Sequence, residues 1–273
     1  MLNGIVEDFL RLVDINAKNL PRTYAMAQVT LTKRYSGSAL GVAWALIKPI
    51  IYIFAYWFAM TIGVRAGSMV SGTPYILWLM PGIMPWFFVS DALTVGGSAI
   101  RSNAHFVTKM AYPVATLPIS EVLSLYFVHL MMMCLVCAVF VVSGFGLNIY
   151  FVQIPYYILC CIAFSVSLAM LLSALTAMSQ DIKQAVKSVL TLLFWLTPVL
   201  WSADSVSSPF LKGVILGNPI SYIITGYRNT FVSQRWFFQD WQYMIYFWAV
   251  LVVVTLLASY VFTKLEPEFA DVL

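Results

Sequence analysis

The sequence predicts an all-α, polytopic membrane protein: six spans, an N-terminal amphipathic interfacial helix, and a re-entrant helix pair before the last span. Two observations carry that class. Hydrophobic residues make up 62% of the 273-residue chain and charged residues 10%, far from the roughly 25% charged of a soluble domain. Six apolar segments, each near the about 20 residues that a bilayer core requires, lie between Leu40 and Phe262. They are Leu40–Gly63, Tyr75–Val95, Leu117–Ser143, Pro155–Met178, Ile182–Trp201 and Trp241–Phe262. The chain reads as one transmembrane domain, with 1–39 as cytoplasmic interfacial helices, 40–262 as spans and 263–273 as a cytoplasmic tail. No lysine follows a glycine anywhere, which removes the phosphate loop G-x-x-x-x-G-K-[ST]. Any ATP energy therefore has to come from a partner.

Ahead of the spans, Leu2, Ile5, Val6, Phe9, Leu10, Leu12 and Val13 recur at helical spacing, with Glu7, Asp8, Arg11 and Asp14 between them. That is an amphipathic helix too short and too charged to span. Its mixed charge suits the headgroup layer, so an interfacial helix touching a cytoplasmic partner is preferred to a plain cover over the span ends. Met1–Lys18 has no compact apolar core before a small-residue cleavage site, so no cleavable signal peptide is expected. A second helix is predicted from Thr23, after Pro21, to Tyr35.

Charge placement sets the orientation. Arg11, Lys18, Arg22, Lys33, Arg34, Arg101, Lys109, Lys183, Lys187 and Lys264 fall on one side, and Arg65, Lys212, Arg228 and Arg235 on the other. The positive-inside rule puts the first group, and both termini, in the cytoplasm.

Between spans two and three, Ser102 or Asn103 is a capping residue for a short helix from Ala104 to Met110 that Pro113 stops. Phe106, Val107 and Met110 fall on one face, with Arg101 and Lys109 nearby. Two turns of helix do not stand alone in water. Either this helix leans on its own spans or it fits a groove on a cytoplasmic motor. The 39 residues Ser202–Asp240 are too long and too apolar for an ordinary loop. Ser208-Pro209 and Asn218-Pro219 each pair a capping residue with proline at the first helical position. They open short apolar segments, Phe210–Leu216 ended by Gly217 and Ile220–Ile224 ended near Gly226. These read as a re-entrant pair beside a pathway, since irregular backbone at membrane depth must be buried in protein or line a wet cavity.

Lys48, Asp91, Glu121 and His129 are the ionisable residues in or at the edges of the spans, where charge is expensive. Lys48 can snorkel to the cytoplasmic surface. Asp91 and Glu121 lie near cytoplasmic ends and read as structural, and His129 as a packed, hydrogen-bonded residue. Cys134, Cys137, Cys160 and Cys161 sit in apolar runs and read as packing residues. Arg228 has two readings: bidentate pairing with phosphate on a cargo, or a structural tie to a backbone carbonyl or to Asp240.

Several segments together resemble the membrane subunit of bacterial ABC exporters for lipid-linked polymers, the group handling teichoic acids, O-antigens and capsules. They are Arg34-Tyr35-Ser36-Gly37-Ser38-Ala39-Leu40-Gly41 leading to Trp44 and Pro49, and Leu196-Thr197-Pro198-Val199-Leu200-Trp201. Asn218-Pro219 with Gly226-Tyr227-Arg228, and the tail Phe269-Ala270-Asp271-Val272-Leu273, complete the set. The resemblance implies a bacterial cytoplasmic-membrane permease in which two copies pair and each docks one ATPase subunit. ATP and Mg then belong to that partner, and this chain holds no cofactor, catalytic group or nucleic acid. It further implies a coupling helix comprising Arg101, His105, Phe106, Val107, Lys109 and Met110. Spans one and five wall the channel and the re-entrant pair forms its outer mouth, with Trp44, Lys48, Phe194, Trp201, Tyr227 and Arg228 as channel or gate residues. Within the group, Trp241-Gln242-Tyr243 and the tail are most similar to wall teichoic acid exporters, with O-antigen or capsule export as the alternative. Lys48 departs from the uncharged residue expected of many relatives.

Two other classes fit less well. An ion-coupled transporter should show inverted repeats and midplane carboxylates, and a membrane transferase needs acids and histidines gathered on a loop. Neither pattern is present in the sequence. A soluble ATPase encoded next to this chain would favour export.

Overall fold

The computed structural model describes residues 2–63, 69–70, 72–110 and 112–273. Met1, Arg65 (counted among the outer charges) and Ala111 of the loop lie outside them. Two helices lead the chain, α1 (Leu2–Lys18) and α2 (Leu20–Tyr35). The second starts before the predicted Thr23 because Pro21 sits in its first turn, where a missing N–H forfeits no helical bond. Gly37 and Gly41, both at positive φ, turn the chain into a 3₁₀ turn (Gly41–Ala43) and α3 (Trp44–Phe58), which ends in a π turn, Ala59–Gly63. A two-residue antiparallel pair, β1 (Met69–Val70) with β2 (Thr73–Pro74), leads into α4 (Tyr75–Val95). The fold is thus nearly, not wholly, α.

The remaining elements are α5 (Ala99–Ser102), α6 (Ala104–Lys109), α7 (Thr116–Val142), α8 (Ile154–Met178), α9 (Gln180–Leu196), α10 (Pro209–Leu216), α11 (Pro219–Arg228), α12 (Trp241–Leu265) and α13 (Phe269–Val272). Among the described residues, five helical stretches are long and apolar enough to cross a membrane: Gly41–Gly63, Tyr75–Lys109, Thr116–Val142, Ile149–Met178 and Trp241–Val272. The predicted fifth span, Ile182–Trp201, does not form one continuous helix. α9 has 17 residues and stops at Leu196. Thr197 is extended, as the residue before a proline prefers.

α4 is the centre of the bundle. Leu79, Ile83 and Val89 are fully buried, and α7, α8 and α11 pack around it. α3 and α9 lie at the edge, with Phe54 58% and Trp195 59% exposed. Cys160 and Cys161 are buried as predicted, whereas Cys134 is exposed on the bundle exterior.

α8 defines the two ends, about 37 Å apart at 1.5 Å per residue. At its start, the Gln153 side chain donates to the Arg235 carbonyl (2.8 Å) and accepts from the Phe237 N–H (2.9 Å). Near its finish, Ala174 and Ala177 share a cluster with Leu12 of α1, Ile100, Phe262 and Phe269. Both terminal helices and the 101–113 loop therefore gather at one end, and the 229–240 segment lies at the other.

Candidate functional site

The short pair folds from the predicted caps. Ser208 Oγ accepts from the Leu211 N–H, and Asn218 Oδ1 from the Ile220 N–H at 3.0 Å. α11 runs past Gly226 to Arg228. A Cβ at Gly226 would overlap the Tyr157 ring, so this glycine permits close packing and does not end the helix. α11 is buried, whereas Phe210, Leu211 and Val214 leave α10 exposed.

The break after α9 organises this region. Carbonyls freed where a helix stops at membrane depth need donors from elsewhere. Arg228 donates to the carbonyls of Pro198 and Val199, and Tyr75 donates to that of Leu200 at 2.7 Å. Asn218 Nδ2 reaches Thr197 Oγ1 at 2.9 Å. Trp201 Nε1 turns back to the Trp195 carbonyl at 3.1 Å. The Leu-Thr-Pro-Val-Leu-Trp run is thus a knot of backbone held by side chains from α4 and α11.

That geometry bears on two residues at the outer mouth, and for Arg228 it matches the reading as a structural tie to a backbone carbonyl. Arg228 is only 6% exposed and commits its guanidinium to carbonyls, so it does not present a fork to a cargo phosphate. Asp240 pairs with Arg235 instead (3.2 Å). Tyr227 is buried and bonded to His129 Nε2 at 2.8 Å, which also places His129 as the packed residue the sequence predicts. Phe194 is buried between Tyr56 and Trp86, with ring centroids 5.1 and 5.5 Å away. The sequence reading missed Tyr75, Trp78 and Gly82 as partners of the break. Trp78 and Gly82 are four residues apart and share a face of α4, which is the signal that links them.

Trp44 and Lys48 line an open cavity of about 640 Å³ with Arg34, Tyr35, Tyr52 and Asp91. Asp91 opens into it, and among the described residues neither Lys48 nor Asp91 belongs to an ion pair. Arg34 forms part of its wall but is anchored, to Glu121 at 3.0 Å and Ser124 at 3.2 Å. This bridge fixes the end of α2 on α7, so Glu121 is structural. The cavity combines aromatic faces, cations and a carboxylate, a surface suited to a polar headgroup at the membrane boundary.

In the 101–113 loop the six predicted residues divide. Arg101 reaches back, donating to the Ala177 carbonyl at 3.2 Å. With its amide oxygen turned toward the guanidinium, Gln180 also accepts from Arg101, at 2.8 Å. Val107 leans inward on the Leu12–Phe269 cluster. His105, Lys109 and Met110 are exposed. Phe106 is half-buried between His105 (4.1 Å) and Tyr112 (5.0 Å). The single apolar face predicted for Phe106, Val107 and Met110 is therefore split. Asn103 does not cap α6 through its side chain, which donates to the Ala99 carbonyl at 2.9 Å and closes α5 instead.

The family profile described as ABC-2 type transporter matches residues 21–232. The chain is also similar to O-antigen export system permease proteins named RfbA. That of Myxococcus xanthus is 27% identical over 248 residues, covering 90% of this chain and 93% of the relative. Two from Klebsiella pneumoniae are 24% and 23% identical over 245 and 244 residues, each covering 89% of this chain and 91% of the relative. With the profile spanning both the α2–α3 turn and the break after α9, the chain belongs to the ABC-2 type transporter membrane family.

Proposed function

We propose that this chain is the permease of an ATP-driven exporter that carries a lipid-linked cell-surface polysaccharide of the O-antigen type across a bacterial cytoplasmic membrane. The observation that carries this reading is its similarity to O-antigen export permeases over nine-tenths of its length. The polyol-phosphate reading is placed second, because the relatives named above are O-antigen export permeases by name and because Arg228, for which a cargo phosphate is one of two readings, is buried and committed.

In this reading the chain crosses six times. α9 and the knotted backbone after it make the fifth crossing, and α10 and α11 form the outer re-entrant pair. Its support is that α8 finishes at the end where the tail packs, while α12 starts beside the 229–240 segment at the other. Both termini and the 101–113 loop are then cytoplasmic, the side that carries ten of the lysines and arginines. The exposed apolar faces of α3 and α9 suit pairing with a second copy around a channel. The chain itself is non-catalytic. A cytoplasmic ATPase subunit binds ATP and Mg, docks on the exposed side of α6 and transmits its closure through that helix. The polymer threads outward past aromatic side chains such as Trp44, while its lipid stays in the bilayer.

The test is reconstitution of the permease with its cytoplasmic ATPase subunit. ATP-dependent transfer of a phosphate-free, lipid-linked polysaccharide into vesicles is expected. Transfer of polyol-phosphate polymers alone would restore the teichoic acid reading, and transfer of neither would sink the export assignment.

A further inference from the structure

We propose that the tail segment Glu266–Leu273 is the backing of the loop helix α6, and that Phe269 is the positioning residue through which α6 moves the helices behind it. This rests on the reading of α6 as the docking element for the ATPase. The helix has six residues, too few to hold its shape alone. A push on it is transmitted only as far as something stiff stands behind it.

The structure places that support in the tail. α12 ends at Leu265, a 3₁₀ turn through Pro267 redirects the chain, and α13 lies against α6. Phe269 is 0% exposed and meets Phe262 edge-on at 5.6 Å. The same cluster holds Leu12, Ile100 and Ala177, and Val107 and Leu273 lean on it. Arg11 of α1 pairs with Glu266 and donates to Thr263 Oγ1 at 3.3 Å. Five elements (α1, the loop, and the ends of α8, α12 and α13) thus meet around one ring, and among them the loop reaches α13 through this cluster. Because a packed core shifts between discrete arrangements and does not deform smoothly, displacement of α6 is shared with α1 and α12 through Phe269. Without the ring, α6 can yield locally while still holding the ATPase.

The experiment uses the full permease–ATPase complex in vesicles. It measures ATPase retained on purification, ATP hydrolysis and polymer export. Phe269→Ala is expected to retain the ATPase and its hydrolysis while export per ATP falls at least fivefold, and Phe269→Leu to restore export to within about twofold of the parent. Val107→Ala thins the same contact from the loop side and should lower export per ATP too, so the test survives if the alanine tail variant fails to fold. Unchanged export per ATP in the folded variants overturns the proposal, as does a fall in export that merely tracks hydrolysis. Met110→Ala and Lys109→Ala serve as the control. If they leave ATPase retention and export intact, the docking reading of α6 fails. If they impair retention while Phe269→Ala does nothing, the role of the tail alone fails.

Discussion

The Arg228 guanidinium lies over the Trp78 indole, 3.5 Å from the ring centroid, while its N–H groups go to the carbonyls of Pro198 and Val199. A cation in an apolar interior is costly unless its donors are satisfied and its charge is met. Here the ring face supplies the electrostatics and the broken backbone supplies acceptors for Nη1 and Nη2, while Nε is buried with no hydrogen-bond partner. Gly82 completes the seat, since a Cβ there would land on the guanidinium.

Arg228→Ala should therefore be a stability defect. It strands two buried carbonyls, at about 1–3 kcal/mol each, and leaves a void beside Trp78. The expected result is a sharply lower thermal midpoint and poor monodisperse yield in detergent. Arg228→Lys should fall between parent and alanine, because an ammonium lacks the planar fork. Gly82→Ala should resemble the alanine variant. Normal yield with lost export would instead return Arg228 to a role in translocation.

The exposed side of α6 should matter for partner binding and not for folding. Met110→Ala and His105→Ala are expected to insert normally, with an unchanged thermal midpoint, and to recover severalfold less ATPase on co-purification. Arg101→Ala should lower stability, because Arg101 ties the loop to the Ala177 carbonyl.

Topology is checked with single cysteines in a background lacking Cys134, Cys137, Cys160 and Cys161. Ser205 and Thr108 are both exposed at opposite ends of the bundle. An impermeant thiol reagent on intact cells should label Ser205→Cys strongly and Thr108→Cys only after permeabilisation. The opposite pattern would invert the orientation.

Acid should act on the outer loop at one named pair. The Lys212 ammonium donates to Asp204 at 2.8 Å and holds its carboxyl below the usual carboxylate range. A lowered folded value means that the pair contributes above the unfolded carboxylate value and is lost as pH falls through the lowered one. A double-mutant cycle of Asp204→Asn and Lys212→Gln, read by thermal midpoint, should show a small coupling at pH 7 that shrinks once the pH is taken below the usual carboxylate range. The coupling should be small because both side chains are exposed.

The parts of the fold governed by local rules were legible in the chain. α4 begins and ends at the predicted Tyr75 and Val95. The Ser208 and Asn218 caps form as read, because proline and a capping side chain act over three residues. The α9 break was not read from the sequence: hydropathy averaged across Pro198 and implied a longer span. Misreadings arose where a side chain's partner is distant in sequence. For Arg228 the tie to a backbone carbonyl was one of two readings, but nothing near it in the chain discloses that the carbonyls would be those of Pro198 and Val199, some 30 residues earlier. Val107 and Met110 share a helical face on paper, yet the tail claims the first and leaves the second uncovered.

In the proposed exporter the knot after α9 also bears on how tightly a resting permease seals the membrane. Pulling the stretch after α9 away from both α4 and α11 ruptures discrete hydrogen bonds, since the carbonyls of residues 198–200 are held by Arg228 of α11 and Tyr75 of α4. Two charge-assisted bonds at about 1.5–3 kcal/mol each, with the Tyr75 bond at about 0.5–1.5, make that rupture cost roughly 4–7 kcal/mol per copy. At 1.4 kcal/mol per factor of ten, spontaneous parting along this seam occupies less than about one part in several hundred of the time. In the proposed exporter, leak along this seam within each copy is thus suppressed by hydrogen-bond stoichiometry.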